Sequence, residues 1–186
     1  GGRTAGSTYN QSIYKSNADA TTWTPEKNNN LAFDNRYSHH VSLFNGTYWL
    51  TGGFKSGYLN DTWSSTDGLT WTDSKPAASF TARSGHKTAV LDGKLWLVGG
   101  YNSSTYFDDV WSFDGSTWTK AAASAGFPGR TDHTLTAFNN KLWLIGGYNG
   151  GLLSDIWSSS NGTTWTQETA AAPFGMLFEH SITVFN

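Results

Sequence analysis

One set of residues, Phe-x-x-Arg-x-x-His, returns in this chain at a constant step of 47 positions, and that step constrains the fold more than any single side chain. Phe33, Arg36 and His39 come back as Phe80, Arg83 and His86 and again as Phe127, Arg130 and His133, while a fourth copy keeps Phe174 and His180 but carries Leu177. A period of this length marks repeated supersecondary units that cannot bury their apolar faces alone and must stack on one another.

Other positions keep the same step. Trp49, Trp96 and Trp143 each precede a glycine pair, Gly52-Gly53, Gly99-Gly100 or Gly146-Gly147. Trp63, Trp111 or Trp157 follows the pair, and then Trp71, Trp118 or Trp165. A first, incomplete copy opens on Gly1-Gly2 and supplies Tyr14 and Trp23 at the two later sites, so the repeat accounts for all 10 tryptophans. They are read as core.

Each copy reads as four short strands. The runs 41–44, 88–91, 134–138 and 181–185 end, in the first three copies, at Asn-Gly, Asp-Gly or Asn-Asn. Such dipeptides accept the positive φ angles of a tight hairpin, so the next run must return antiparallel. That run (48–51, 95–98, 142–145) is continuously apolar, as a strand buried on both faces requires. A third strand, a turn rich in Asp, Asn and Gly, and a fourth strand around the last tryptophan complete the unit. No helical periodicity is present. A sheet this small cannot cover large aromatics on both faces, so neighbouring sheets must stack. Stacked radially they make a propeller.

Composition supports an all-β protein and removes several functions. Aromatic residues reach 16% and charged residues only 14%, and the net charge of −2 includes no basic run that would serve nucleic acid. The absence of cysteine removes disulfides, thiol catalysis and thiolate metal sites. No apolar run is long enough for a membrane-spanning helix. Low charge and abundant hydroxyls and amides point to an extracellular or cell-surface setting. Asn-x-Ser/Thr sequons stand at Asn10, Asn45, Asn60, Asn102 and Asn161.

The Arg-x-x-His start, the apolar strand, Gly99-Gly100 and the later Trp111 and Trp118, repeated together, resemble the kelch repeat, of the bacterial or archaeal extracellular type. The resemblance covers essentially the whole chain. It implies a kelch-type β-propeller, or a propeller arc of four-stranded antiparallel blades, with the histidine-bearing strand innermost and about six to eight blades in a complete ring. The chain then divides as one kelch-repeat region over 1–186: a partial blade 1–30, blades 31–77, 78–124 and 125–171, and a partial blade 172–186. Either it is a segment of a longer propeller, or copies self-associate to complete a ring.

Candidate binding residues fall in two groups. Arg36, Arg83 and Arg130 either ring the channel mouth and clamp an anion with their planar forks, or tie each loop to the blade structure. Phe54, Tyr58, Tyr101, Tyr106 and Tyr148 lie among Gly, Ser and Asn in the segments 54–60, 101–108 and 148–154, with Tyr9 in the matching segment 3–10. That mixture suits binding loops, and equally suits loops folded over blade ends. The repeated histidines are read as structural and not as a metal ring, and Asp61, Asp109 and Asp155 as acceptors for backbone amides of the preceding loop.

No catalytic residue and no cofactor is expected. Glu26, Glu168 and Glu179 fall between the fourth strand and the next first strand, and no pair has acid and base spacing. The turn 65–71 resembles a sialidase Asp-box one residue short, but the Arg triad with a Tyr and Glu pair is missing, and a galactose-oxidase-like copper site needs a cysteine. The expectation is a non-enzymatic extracellular scaffold that binds a protein or glycan through blade-end loops, with no nucleic acid and no membrane insertion. The alternative is a structural subunit that assembles into rings, a surface layer or fibres. A part of a glycan-active enzyme ranks below both.

Overall fold

Hairpin chemistry sets the strand order. Asn45 and Gly46 (φ 50° and 72°), Asp92 and Gly93 (49° and 66°) and Asn139 and Asn140 (49° and 55°) take the left-handed angles that a two-residue turn demands. Each therefore folds an inner strand back on a second one. The computed structural model describes residues 2–3, 9–10, 12–27, 31–74 and 80–184.

Three four-stranded antiparallel sheets follow in chain order. The first runs His40–Phe44, Thr47–Phe54, Tyr58–Ser65 and Thr72–Asp73. The second runs Lys87–Leu91, Lys94–Val98, Val110–Phe113 and Trp118–Ala122, and the third Thr134–Phe138, Lys141–Tyr148, Leu152–Ser159 and Thr166–Thr169. Before them Ile13–Ser16 pairs with Trp23–Lys27, and Gly2–Arg3 with Tyr9–Asn10. Among the described residues there is no helix. Residues 181–184, expected to begin a further inner strand, join no ladder. An inner strand needs the second strand of its own blade as hydrogen-bond partner.

Apolar cores lie between blades. Phe44 of the first sheet packs with Phe80, Leu95, Leu97, Phe113 and Trp118 of the next, and Leu91, Trp96 and Val98 pack with Phe127, Leu142, Leu144 and Trp165 of the third. Within each copy the repeated phenylalanine meets the outer-strand tryptophan edge to face, at 5.4 Å for Phe33–Trp71, 5.4 Å for Phe80–Trp118 and 5.3 Å for Phe127–Trp165. Phe174, whose copy carries no such tryptophan here, is half exposed. The reading of every tryptophan as core fails at Trp23, which is 60% exposed, with Tyr14 of the same sheet at 49%. Among the described residues their sheet has only two strands, too small a platform to cover both rings.

A second repeat device encircles the centre. Ser38, Gly85, Asp132 and Glu179, each 47 residues from the last, all have φ between 51° and 65°. Each amide after the first donates to the carbonyl of its predecessor, Gly85 to Ser38 at 2.8 Å, Asp132 to Gly85 at 2.9 Å and Glu179 to Asp132 at 2.8 Å. The left-handed turn aims the N–H at the neighbouring blade, which joins the inner ends of four successive copies. At Gly85 a Cβ would land on Thr131 Oγ1 and crowd the Asp132 carboxylate, so a larger residue in this copy would force those side chains to move.

Candidate functional site

The arginines lie inside the blades and not at a channel mouth. Arg36, Arg83 and Arg130 are 1%, 0% and 0% exposed. Each Nη1 donates to the carbonyl of the first glycine of its own blade's pair, at 2.9, 2.8 and 2.9 Å for Gly52, Gly99 and Gly146. Each guanidinium also grips a carboxylate with both forks: Asp61 at 2.6 and 2.8 Å, Asp109 at 2.5 and 3.0 Å, Asp155 at 2.6 and 2.7 Å. A reading of these residues as ligand clamps has no free fork to work with, because the planar geometry that would hold a ligand already holds an aspartate.

The aspartates differ from expectation in the same way. They accept from arginine and, through their second oxygen, from the indole N–H two residues on: Trp63 at 2.7 Å, Trp111 at 2.8 Å and Trp157 at 2.7 Å. For Asp61 and Asp155 burial works against ionisation, yet the hydrogen bonds from Arg and Trp outweigh it and hold both carboxyls below their ordinary value. Contact between blades runs instead through the arginine backbone. Gly53 N–H donates to Arg83 O at 2.9 Å and Gly100 N–H to Arg130 O at 2.8 Å. Gly147 N–H donates to Leu177 O at 2.8 Å, so the fourth copy keeps this bridge without an arginine side chain.

Glycine pairs make room for the histidines. A Cβ on Gly52 would sit 2.9 Å from His86 Cε1 and one on Gly99 2.9 Å from His133 Cε1, so each first glycine is the floor under the next blade's imidazole. His86 Nε2 lies 2.8 Å from Thr51 Oγ1 and His180 Nε2 3.0 Å from Thr134 Oγ1. His133 finds no partner for either ring nitrogen among the described residues. No group of three His, Asp or Glu side chains among the described residues is placed to hold a metal ion.

Burial holds these imidazoles neutral. His86 and His133 lie well below the ordinary histidine value, His40 is lowered to about 4 and His39 to about 3, in each case chiefly by desolvation. The unfolded chain therefore binds more protons than the folded one below pH ~6.5, and stability drops as the pH is lowered through that window, by about 1.4 kcal/mol per pH unit for each histidine. Urea unfolding is expected to show this loss between pH 6.5 and 4.5. His133→Gln should flatten the slope by about one proton, and an unchanged slope would show that His133 titrates normally in the fold.

The tyrosines, by contrast, come together. The second and third strands run on as hairpins past the blade core, and their tips carry facing aromatic pairs, Phe54 opposite Tyr58 and Tyr101 opposite Tyr106, with Tyr148 opposite Leu152. The segments read as loops are thus about half paired strand. Ring contacts cross from blade to blade without a break: Tyr37–Phe54 at 5.5 Å, Phe54–Tyr58 at 4.9 Å, Tyr58–Tyr101 at 5.9 Å, Tyr101–Tyr106 at 4.6 Å and Tyr106–Tyr148 at 6.0 Å. Most are edge to face, the arrangement aromatic quadrupoles favour. Tyr148 and Leu152 are exposed and the other rings half-buried. Desolvation, then the neighbouring phenols of Tyr148 and Tyr101, raise the Tyr106 hydroxyl above its ordinary value.

Phe54, Tyr37 and Leu152 belong to this crest, and of these only Phe54 stands with the tyrosines among the loop aromatics of the sequence. The repeat held the signal for Phe54, since 54, 101 and 148 are aromatic in all three copies. Tyr37 joins through the bridge between Tyr37 and Phe54 that ties the inner-strand loop to the same blade end. The Tyr9 side chain lies outside the described residues.

Comparison with known proteins agrees with this architecture. The family model described as the KLHDC2/KLHL20/DRC7 Kelch-repeats domain matches residues 1–147. A search of curated proteins gave no match. The solved structure of YjhT superposes with a TM-score of 0.73 at 19% identity, over 91% of this chain and 62% of that one, so this chain spans less than two thirds of that structure. Kelch-repeat domains generally mediate protein interactions. By the family match and by a blade geometry repeated copy for copy, the chain belongs to the kelch-repeat family.

Proposed function

We propose that this chain is a non-enzymatic extracellular binding scaffold that recognises a protein or glycan partner through the aromatic crest at one end of its blades. The observation that carries the reading is the unbroken series of ring contacts from Tyr37 to Tyr148 across three blades. Tyrosine gives rigid amphipathic area at small entropic cost, and a rigid crest on paired strands loses little freedom on binding. Support for a non-catalytic role comes from the carboxylates. Asp61, Asp109 and Asp155 are committed to arginines, Asp67 accepts the Leu69 and Thr70 amides, and Glu168 accepts from Ser158 and Lys141. An extracellular setting is supported by the low charge and by the exposure of Asn45, Asn60 and Asn161 within sequons.

The test is a Tyr58→Ala, Tyr101→Ala, Tyr148→Ala triple variant, screened against immobilised oligosaccharides and peptides beside the wild type. Binding is expected to weaken by at least about tenfold with the melting temperature nearly unchanged. Undiminished binding would overturn the crest as the contact surface, and glycoside turnover by the wild-type chain would overturn the non-enzymatic reading.

A second reading has its own observation. Thr136, Phe138, Trp143, Ile145, Ile182 and Val184 line an open apolar cavity of about 380 Å³ on the face of the third sheet. Assembly of copies into rings or fibres through that face would cover it. Sedimentation showing concentration-dependent association, abolished by Phe138→Asp, would favour assembly.

A further inference from the structure

Most repeat positions that converge on the centre carry the same residue in successive copies, as the arginines, histidines and glycine pairs do. The position immediately after the repeated histidine does not: it is His40, Lys87, Thr134 and Ser181. In the first three copies this residue begins the innermost strand or directly adjoins it, and all four line one small cavity of about 190 Å³ together with Leu135, His180 and Ile182. A stacking role would be served by one residue type. Four different hydrogen-bonding side chains at one structural position are what an asymmetric ligand requires.

Two of the donors in that cavity, on Lys87 and His40, are unspent among the described residues. The Lys87 ammonium makes no hydrogen bond or ion pair among the described residues, although its stem is half-buried. His40 Nδ1 accepts the Thr88 amide at 3.2 Å, which places the imidazole proton on Nε2, where it has no partner among the described residues. Thr134 adds a hydroxyl shared with His180, and Ser181 an exposed one. The cationic field of Lys87 reaches His40, His86, His133 and His180 and helps to lower each of them. Asp132 and Glu179 stand on the left-handed residues before His133 and His180. Asp132 feels the Lys87 charge but lies beyond salt-bridge distance.

We propose that this axial cavity binds a small oxyanion, with Lys87 supplying the charge and His40, Thr134 and Ser181 the directed hydrogen bonds. The site is separate from the tyrosine crest and does not rest on it. The nearby carboxylates favour an anion of low charge, and His40, Lys87 and Thr134, each at the start of an inner strand, can hold it with little rearrangement.

The experiment titrates inorganic phosphate, and separately acetate, into the ¹⁵N-labelled chain at constant ionic strength. Saturable shifts are expected at the amides of His40, Thr134 and Ser181, with the dissociation constant raised at least tenfold in Lys87→Met and unchanged in the triple tyrosine variant. Saturation by both anions identifies general oxyanion recognition, and saturation by one identifies phosphate-type or carboxylate recognition. Should Lys87→Met fold poorly, Thr134→Val must still weaken binding. Non-saturable shifts, or binding indifferent to both substitutions, would overturn the proposal.

Discussion

Arg83→Leu is expected to destabilise the chain by about 3–5 kcal/mol, because it leaves the Asp109 carboxylate buried with only the Trp111 indole to offset its charge. The guanidinium also lies 3.9 Å above the Phe107 ring, so packing is lost with the charge. The double variant Arg83→Leu, Asp109→Leu should recover a large part of the loss, since removing both partners leaves no stranded ion. Arg36→Leu should cost less, because Asp61 is 20% exposed against 8% for Asp109 and water can take over part of its solvation. Urea unfolding of the three variants checks the order. Equal losses for Arg36→Leu and Arg83→Leu would show that desolvation is not what sets the cost.

Trp118→Ala is expected to lose a similar ~3–5 kcal/mol. This indole is fully buried, stacked 4.9 Å from Phe113, edge-on 5.4 Å from Phe80, and its N–H reaches Thr62 of the preceding blade at 3.2 Å. The substitution therefore empties the core between two blades and strands a buried hydroxyl. Trp23→Ala, at the same position of the repeat, should change stability by less than about 0.5 kcal/mol, since its ring is already in solvent. Comparable effects at the two sites would mean that the two-stranded sheet carrying Trp23 is covered in solution.

The contrast between those tryptophans shows how far the sequence was legible. Periodicity identifies equivalent positions, and from them the strands, hairpins and stacking direction can be read. It does not say whether a given copy has neighbours on both sides. Trp23 and Phe174 carry the repeat pattern and lack the packing. The arginines show a different limit. Arg36, Arg83 and Arg130 were placed either at a channel mouth or in structural ties, and the deciding partner lies 25 or 26 residues downstream on a third strand. The signal was present, since all three copies with the arginine also carry Asp61, Asp109 or Asp155. The pairing itself depends on sheet geometry, which brings those strands side by side. The tyrosines were chosen for their loop chemistry, yet their side chains meet because the hairpins extend as paired strands, a consequence of strand length that composition does not reveal. The left-handed ring at Ser38, Gly85, Asp132 and Glu179 was illegible for a plain reason: only one of its four members is glycine.

Fluorine NMR of the chain labelled uniformly with 3-fluorotyrosine tests the central claim most directly, because all 8 tyrosines report in one spectrum while an oligosaccharide or peptide that binds in the screen is titrated. Saturable changes are predicted at Tyr58, Tyr101, Tyr106 and Tyr148, with Tyr14 and Tyr48 unmoved. Changes at Tyr14 or Tyr48 while the crest resonances stay fixed would contradict it.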